Sequence, residues 1–307
     1  MRDLDLAVLR IFKTVAEEGG VTRAAERLNR VQSNVTTRVK QLEERLGVAL
    51  FTRRGKRLHL TAAGIAFLDY AERLLRLSAE AESVLHADRP RGDFRLGSME
   101  STAGMRLPAV LSRYHRAWPE VRIDLSTGTA GKLVEQLHRG GIDAAFAAEP
   151  FARDGLEVCP AFREELVLIS PLGAPPVTTP VEACTRSVIA FPVGCAYRYR
   201  LEGWIGRERT LAKRFHEYAS YHALIACVAA GGGIAIAPRS VVEAIVSPKQ
   251  IRIQALPRPV AEATTYLMWR KGYESPALRA LVDLVGAVTV DGKPRKSRVK
   301  RTARRSA

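Results

Sequence analysis

The first sixty residues alternate short apolar periodicities with abrupt stops, a layout that fits a small helical domain and little else. From Leu4 to Glu18, apolar residues at Leu6, Leu9, Phe12, Val15 and Ala16 recur at three- and four-residue steps, and Gly19-Gly20 ends the run. Thr22 is the expected N-cap of a second, short helix from Arg23 to Leu28, whose Ala24 and Ala25 allow close helix packing. Asn29-Arg30 makes the turn. A third helix is predicted from Gln32 to Leu46, with Val35, Val39, Leu42 and Leu46 on one face and Gly47 at its end.

With that stripe buried, Gln32, Ser33, Asn34, Thr36, Thr37, Arg38 and Lys40 are left outward. They are short hydrogen-bonding side chains and cations, the types that touch base edges and phosphates together. The competing reading is an ordinary solvated face, which would be richer in Glu and Lys. The segment Val48 to Leu60 then places Arg53, Arg54, Lys56 and Arg57 around Gly55 between two apolar runs, a predicted β-hairpin. Such a wing would lay its cations along a phosphate backbone or into a minor groove. Short helix, turn, outward polar helix and basic hairpin together read as a winged helix-turn-helix over residues 1–64. Thr22, Arg23 and Arg30 complete the expected DNA-facing set.

Charge supports this reading. The net charge is +16. Residues 1–64 carry a surplus of six positive charges and residues 291–307 a surplus of seven, leaving about three for the rest. Charge concentrated at the two ends suits a polyanionic partner, although basic surfaces also serve solubility. The final segment, with Lys293, Arg295, Lys296, Arg298, Lys300, Arg301, Arg304 and Arg305, lacks apolar periodicity and is expected to be disordered.

Thr61 is the expected cap of a long helix reaching about Ala87, before Asp88-Arg89-Pro90-Arg91-Gly92 breaks the chain. Phe67, Tyr70, Leu74, Leu77, Ala81 and Val84 follow coiled-coil spacing, which suits pairing of two copies; packing on the chain's own second domain is the alternative. Residues 65–90 therefore form the expected dimerisation linker and hinge. Beyond it, over residues 91–290, short apolar runs alternate with amphipathic segments. Strands are predicted at Phe94–Ser98, Val121–Thr127, Ala144–Ala148, Leu166–Ser170, Ser187–Phe191, Gly233–Ala237 and Thr264–Trp269, and helices at Met105–Trp118 and Lys132–Arg139. This is an α/β pattern with mostly parallel sheets, and the proline-rich stretch from Pro171 to Pro180 is the expected crossing between two lobes.

The run Phe12-x-x-Val15-Ala16-Glu17, Thr22-Arg23-Ala24-Ala25-Glu26-Arg27-Leu28-Asn29, Gln32-Ser33-x-Val35, Leu42-Glu43-x-x-Leu46-Gly47, Leu50-Phe51-x-Arg53 and Leu60-Thr61-x-x-Gly64 resembles the DNA-binding domain of LysR-type transcriptional regulators. The resemblance spans residues 4–64 with spacing intact. Many members have Ser-Gln-Ser-Ala-Val-Ser where this chain has Val31-Gln32-Ser33-Asn34-Val35-Thr36, so Asn34 and Thr36 put the base preference in doubt. More weakly, Arg95-Leu96-Gly97, Leu107-Pro108, Trp118-Pro119-x-Val121, Gly140-x-Ile142-Asp143 and Gly231-x-Gly233-Ile234-Ala235-x-Ala237-Pro238 are similar to the family's effector domain. That domain resembles periplasmic solute-binding proteins and holds its ligand between two lobes, here about 91–165 with 265–290, and 166–264.

The resemblance implies a homodimer or homotetramer on double-stranded promoter DNA, contact with RNA polymerase if it activates, and a small-molecule effector. Matching positions point to Ser101, Thr102 and Thr129 in one lobe and to Cys195, Tyr197 and Arg198 in the other; Glu100 joins them on its chemistry alone. Ser101 and Thr102 would offer hydroxyls and helix N–H groups to a carboxylate, with Arg198 as a fork; Glu100 would neutralise an amine. The effector is thus a carboxylate, an amino acid or a polyamine-derived metabolite. The alternatives are that Ser101 and Thr102 only cap a helix and that Arg198 pairs with Glu202.

Cys195 beside Arg198 also admits a redox reading, with the guanidinium lowering the thiol's pKa. Cys159, Cys184, Cys195 and Cys227 form no CxxC pair, and the six histidines form no ligand pattern, so no metal or other cofactor is expected and the cysteines read as reduced thiols. No nucleophile elbow or phosphate-binding loop is present, so no enzyme is expected. Without a run of eighteen apolar residues or a secretory leader, a cytoplasmic, nucleoid-associated protein is the expectation, with no membrane partner. A less specific nucleoid-type binder with a vestigial pocket is the second functional reading.

Overall fold

The computed structural model describes residues 4–55, 57–84, 89–206, 214–247 and 250–287, with the side chains at positions 54, 80, 83, 84 and 214 outside that description. Lys56, the expected continuation of the linker helix to Ala87 and the basic tail lie outside the described residues. The chain divides into two units, Met1–His86 and Ala87–Ala307.

In the first unit α1 (Leu6–Glu18) starts on Asp5, whose carboxylate accepts the Ala7 N–H, and stops at Gly19 in the left-handed region at φ 63°. α2 (Val21–Arg27) begins earlier than expected. Gly20 is its N-cap and Thr22 lies inside the helix, because the extended backbone at Gly20 already turns the chain. α3 runs from Gln32 to Leu46 and ends at Gly47, also left-handed. β1 (Phe51–Arg54) and β2 (Arg57–Leu60) pair antiparallel with Arg54 opposite Arg57. The Thr61 hydroxyl accepts the Gly64 N–H at 3.0 Å and so caps α4 (Ala62–Val84), while donating to the Ala49 carbonyl at 2.7 Å. Phe12 ties these parts together, its ring 5.3 Å from Phe51 of the hairpin and 5.2 Å from Phe67 of α4.

The second unit is built on a sheet ordered β10-β6-β11-β5-β3-β4. Its first elements are β3 (Gly92–Ser98), α5 (Glu100–Met105), α6 (Leu107–Ala117), β4 (Val121–Thr127), α7 (Ala130–His138) and β5 (Ala144–Ala148). β3 lies parallel to β4 and β5. β6 (Leu156–Pro171) follows, then α8 (Pro180–Cys184), β7 (Ser187–Ala190), α9 (Ala196–Ile205), β8 (Arg214–Glu217), α10 (Tyr221–Ala229), β9 (Ala235–Pro238), α11 (Arg239–Ile245), β10 (Ile251–Ala255), α12 (Arg258–Ala261), β11 (Glu262–Arg270) and α13 (Pro276–Gly286).

Two expectations are corrected. The sheet is mixed rather than mostly parallel, because β6 runs antiparallel to β9, β10 and β11, and β11 antiparallel to β5. An apolar run states that a strand is buried, but not the direction of its neighbour. The crossing between lobes is β6 itself, not Pro171 to Pro180. Its first part, through Glu165, pairs with β11, and its last part, from Leu166, pairs with β9 and β10. The prolines follow the far end of that strand. The first half of β6 escaped prediction because Glu157, Arg163, Glu164 and Glu165 break its apolar pattern. Phe94, Leu96, Tyr114, Phe146 and Leu281 fill the first lobe's core, and Val167, Ile169, Ile189, Leu224 and Val242 the second's.

Candidate functional site

In the first unit, burial of Val35, Val39 and Leu42 turns the opposite side of α3 outward. Gln32, Ser33, Thr37 and Lys40 are exposed along it. Arg38 is exposed on the flank, lining a groove with Asp5, Gln41, Glu44 and Arg45. Two of the expected base readers are partly engaged by neighbours in sequence. The half-buried Thr36 donates its hydroxyl proton to the Gln32 carbonyl at 2.9 Å, and Asn34 accepts from Arg30 at 3.4 Å. Arg23 folds back to donate to the Glu18 carbonyl at the end of α1.

The Val31 side chain gives α3 no cap hydrogen bond, and its carbonyl accepts the N–H groups of Asn34 and Val35 at 3.0 and 3.3 Å. In the hairpin, Arg53 and Arg57 are exposed, and Leu58 N–H donates to the Gly19 carbonyl at 3.1 Å, fastening the wing to the end of α1.

Tyr70, Leu74 and Leu77 are 60, 38 and 62% exposed, forming with Ala81 one stripe on α4. Phe67 does not belong to that stripe. Its ring is half-buried on Phe12, and this intramolecular packing removes it from the expected pairing seam. The side chain of Val84 is outside the described residues.

In the second unit, Glu100, Ser101 and Thr102 follow β3 on α5, a helix of six residues whose N-cap, Met99, makes no side-chain hydrogen bond. Ser101 is 5% exposed and Thr102 fully buried. Their hydroxyls cap nothing and have no hydrogen-bond partner, nor have Glu100 Oε2, the Tyr197 hydroxyl and the Thr265 hydroxyl. Glu100 reaches the other lobe, its Oε1 accepting the Tyr221 N–H at 3.4 Å. Burial pushes the Tyr197 hydroxyl far up and the nearby Glu164 carboxylate adds to this; the Ser101 and Thr265 hydroxyls oppose it without completing a hydrogen bond. Beside this cluster Ile189, Phe191, Leu201, Tyr221 and Ile236 line a small void of about 10 Å³.

Other expected contacts have different work. Arg198 donates to Glu202 at 2.9 Å, to the Phe191 carbonyl at 3.2 Å and to Glu217, so its fork is occupied within its own lobe. The pairing with Glu202 is thus present in the structure. Thr129 caps α7 by accepting the Lys132 N–H at 3.4 Å. Next to it the lobes meet through backbone, with Gly131 N–H donating to the Gly194 carbonyl at 3.1 Å. Cys195 is buried, and that burial pushes its thiol up despite Arg198, the opposite of what a thiolate sensor needs.

Arg106, Glu164, Tyr221 and Thr265 were missed in the sequence. Arg106 grips Glu164 at 2.7 and 3.1 Å, and Ser240 of α11 donates to the same carboxylate at 3.4 Å. These residues come from separate elements, so no local motif announces them; only the polar threonine inside the apolar strand Ala263–Trp269 was a visible signal.

Comparison with known proteins places both units. The family model described as the bacterial regulatory helix-turn-helix protein, lysR family, matches residues 6–65, and the LysR substrate binding domain model matches residues 87–289. The chain is 37% identical over 277 residues to YusT of Bacillus subtilis, an uncharacterized HTH-type transcriptional regulator, covering 90% of this chain and 93% of the relative. It is 31% identical to the transcriptional regulator GltR of the same organism, covering 91 and 95%. Among solved structures, full-length CbnR complexed with its target DNA matches with TM-score 0.66 at 26% identity, covering 92% of this chain and 99% of that one. A full-length OxyR variant from Pseudomonas aeruginosa shares the fold with TM-score 0.71 at 22% identity, covering 97 and 99%. The chain belongs to the LysR family of transcriptional regulators, DNA-binding proteins with an effector-binding domain, and is not an enzyme.

Proposed function

We propose that this regulator reads specific promoter DNA as a homo-oligomer and responds to a small metabolite held between the lobes of its second unit. The observation that carries the DNA reading is the exposed strip Gln32, Ser33, Thr37 and Lys40 on α3, accompanied by exposed Arg53 and Arg57 on the hairpin. Amide and hydroxyl groups can read base edges in a major groove, while Lys40 and the wing arginines neutralise phosphates. CbnR, which shares this fold, is seen bound to its target DNA. Arg54 and Lys56 would join the wing's phosphate contacts, and Thr22, Arg23, Arg30, Asn34, Thr36 and Arg38 would supply further contacts to the duplex. Effector binding would shift the balance between lobe arrangements and so alter the promoter complex, including any contact with RNA polymerase.

Fluorescence anisotropy of the full chain on the duplex upstream of its own gene, against a shuffled duplex across a salt series, tests this. Preference for the native duplex is expected, and Gln32→Ala or Ser33→Ala should each remove about 1–3 kcal/mol of that discrimination. Lys40→Ala should weaken both duplexes alike and lower the salt slope by about one. Equal binding of both duplexes, collapsing when residues 291–307 are deleted, would instead establish phosphate-driven nucleoid-type binding.

Pairing through α4 is tested separately. Leu77→Glu puts a charge in the exposed stripe, and sedimentation velocity at micromolar concentration should show the oligomer reduced to a smaller species. An unchanged sedimentation coefficient would remove α4 from the interface.

A further inference from the structure

We infer that the inter-lobe cleft of this regulator takes a small ligand bearing an ammonium group, with Glu100 as its counter-ion. The inference rests on the effector reading above and names the ligand class. It comes from the charges and polar atoms that meet in the cleft.

Ser101, Thr102, Tyr197 and Thr265 are each at least nine-tenths buried, and no hydrogen bond closes on their hydroxyls, although those of Ser101 and Thr265 neighbour that of Tyr197. Burying such groups unpaired is costly, which marks a site built around something polar. Glu100 adds a carboxylate oxygen that is likewise enclosed and unpartnered, its other oxygen being held by the Tyr221 N–H.

The cations nearest the cluster are already committed. Arg106 is held by Glu164, and Arg198 by Glu202 and Glu217. The exposed His222 ring also faces Glu100 and favours its charged form, but burial outweighs it and pushes the carboxyl up. The enclosed Glu100 oxygen thus has the exposed His222 ring as a cationic neighbour, while Arg106 and Arg198 are both committed elsewhere. A ligand carboxylate there would face Glu100 with both guanidiniums engaged, whereas an ammonium would relieve it. An ammonium brings three N–H donors, and the waiting groups are a carboxylate and hydroxyl oxygens that can accept them.

The adjoining void, walled by Ile189, Phe191, Leu201 and Ile236, is about 10 Å³, room for at most one water, so these groups specify the ammonium and not a tail. An alkylamine and an apolar α-amino acid share this chemistry.

Calorimetric titration and thermal unfolding of the full chain with n-butylamine, L-norvaline and butyrate at neutral pH test the assignment. At least one of the two amines should bind saturably and raise Tm, which of them binds separating a bare amine from an amino acid, while butyrate does neither. Glu100→Gln, nearly isosteric, should weaken the binding amine at least tenfold while leaving the unliganded Tm near wild type. If that variant does not fold, Glu100→Asp and Tyr197→Phe serve in its place, with the same direction expected.

Butyrate binding that is weakened by Ser101→Ala or Thr102→Val, with neither amine binding, would overturn the ammonium assignment but keep the cleft. Binding indifferent to changes at Glu100, Ser101 and Tyr197, or no binding by any probe, would overturn the assignment and remove its support for the cleft.

Discussion

Replacing Gly64 by alanine should unfold the DNA-binding unit at a markedly lower temperature and remove DNA binding with it. A Cβ at this position would stand 2.1 Å from the Leu50 carbonyl oxygen and 3.0 Å from its carbon. That carbonyl is not free to move, since it accepts the Thr61 N–H at 2.9 Å where the hairpin hands over to α4. Glu43 of α3 fixes the same strand from its other side, accepting the N–H groups of Leu50 and Phe51 at 2.8 and 3.0 Å.

Relief therefore requires α4 to lift from the base of the hairpin, loosening Phe67 from Phe12. Overpacking of this kind costs about 3 kcal/mol or more when backbone is the obstacle. In a domain of this size each kcal/mol lowers Tm by about 4–8 °C, so a fall on the order of 10–20 °C is expected by calorimetry. A Gly64→Ala protein with unchanged Tm and anisotropy would show that α4 can shift without cost.

The largest expected effect in the second unit is at Asp143. Its carboxylate is 5% exposed and accepts the Arg95 backbone N–H at 2.8 Å and Arg95 Nε at 3.2 Å, with Nη2 completing the grip. Asp143→Ala would strand the half-buried Arg95 guanidinium, leaving it the Gly140 carbonyl at 3.1 Å, and leave its backbone N–H without that acceptor. Breaking such a pair by removing one partner costs about 3–5 kcal/mol.

An internal comparison makes the prediction sharper. The Arg122–Asp93 pair has similar geometry, at 2.8 Å, but its side chains are 81 and 62% exposed. Asp93→Ala, at a solvent-exposed pair, should leave the urea midpoint close to wild type. Urea denaturation of both variants decides it, and equal midpoints would mean that burial does not set the value of these pairs.

The first unit was largely legible in the sequence because its information is local. Apolar residues at helical spacing, with Gly19 and Gly47 in left-handed stops, delimit α1 and α3, and the cluster around Gly55 marks the hairpin tip. The same locality explains the small errors there. Thr22 suits a cap by residue type, although Gly20 makes the turn. Phe67 matches the heptad spacing, although a ring at that position also reaches Phe12.

The second unit was legible as alternating strands and helices, but its cleft was not. Periodicity reports which face of an element is buried and is silent on its partner. The antiparallel run of β6 therefore emerged only from pairing, which puts the lobe crossing at Glu165 and Leu166, where the family resemblance implied it and the proline-rich stretch did not. The same holds for side chains. By spacing alone, Arg198 could serve a ligand or Glu202, and the fold settled it by bringing Glu217 to the same guanidinium. Ser101 and Thr102 could cap or bind, and the fold left both hydroxyls buried without capping the helix, that of Ser101 beside Tyr197. Residue type and spacing, with the family resemblance they carry, determined that this chain has a helix-turn-helix unit and an effector-binding domain. Which polar groups remain available inside that domain was decided by contacts between elements far apart in sequence, because a buried charge takes whichever partner the fold brings within reach.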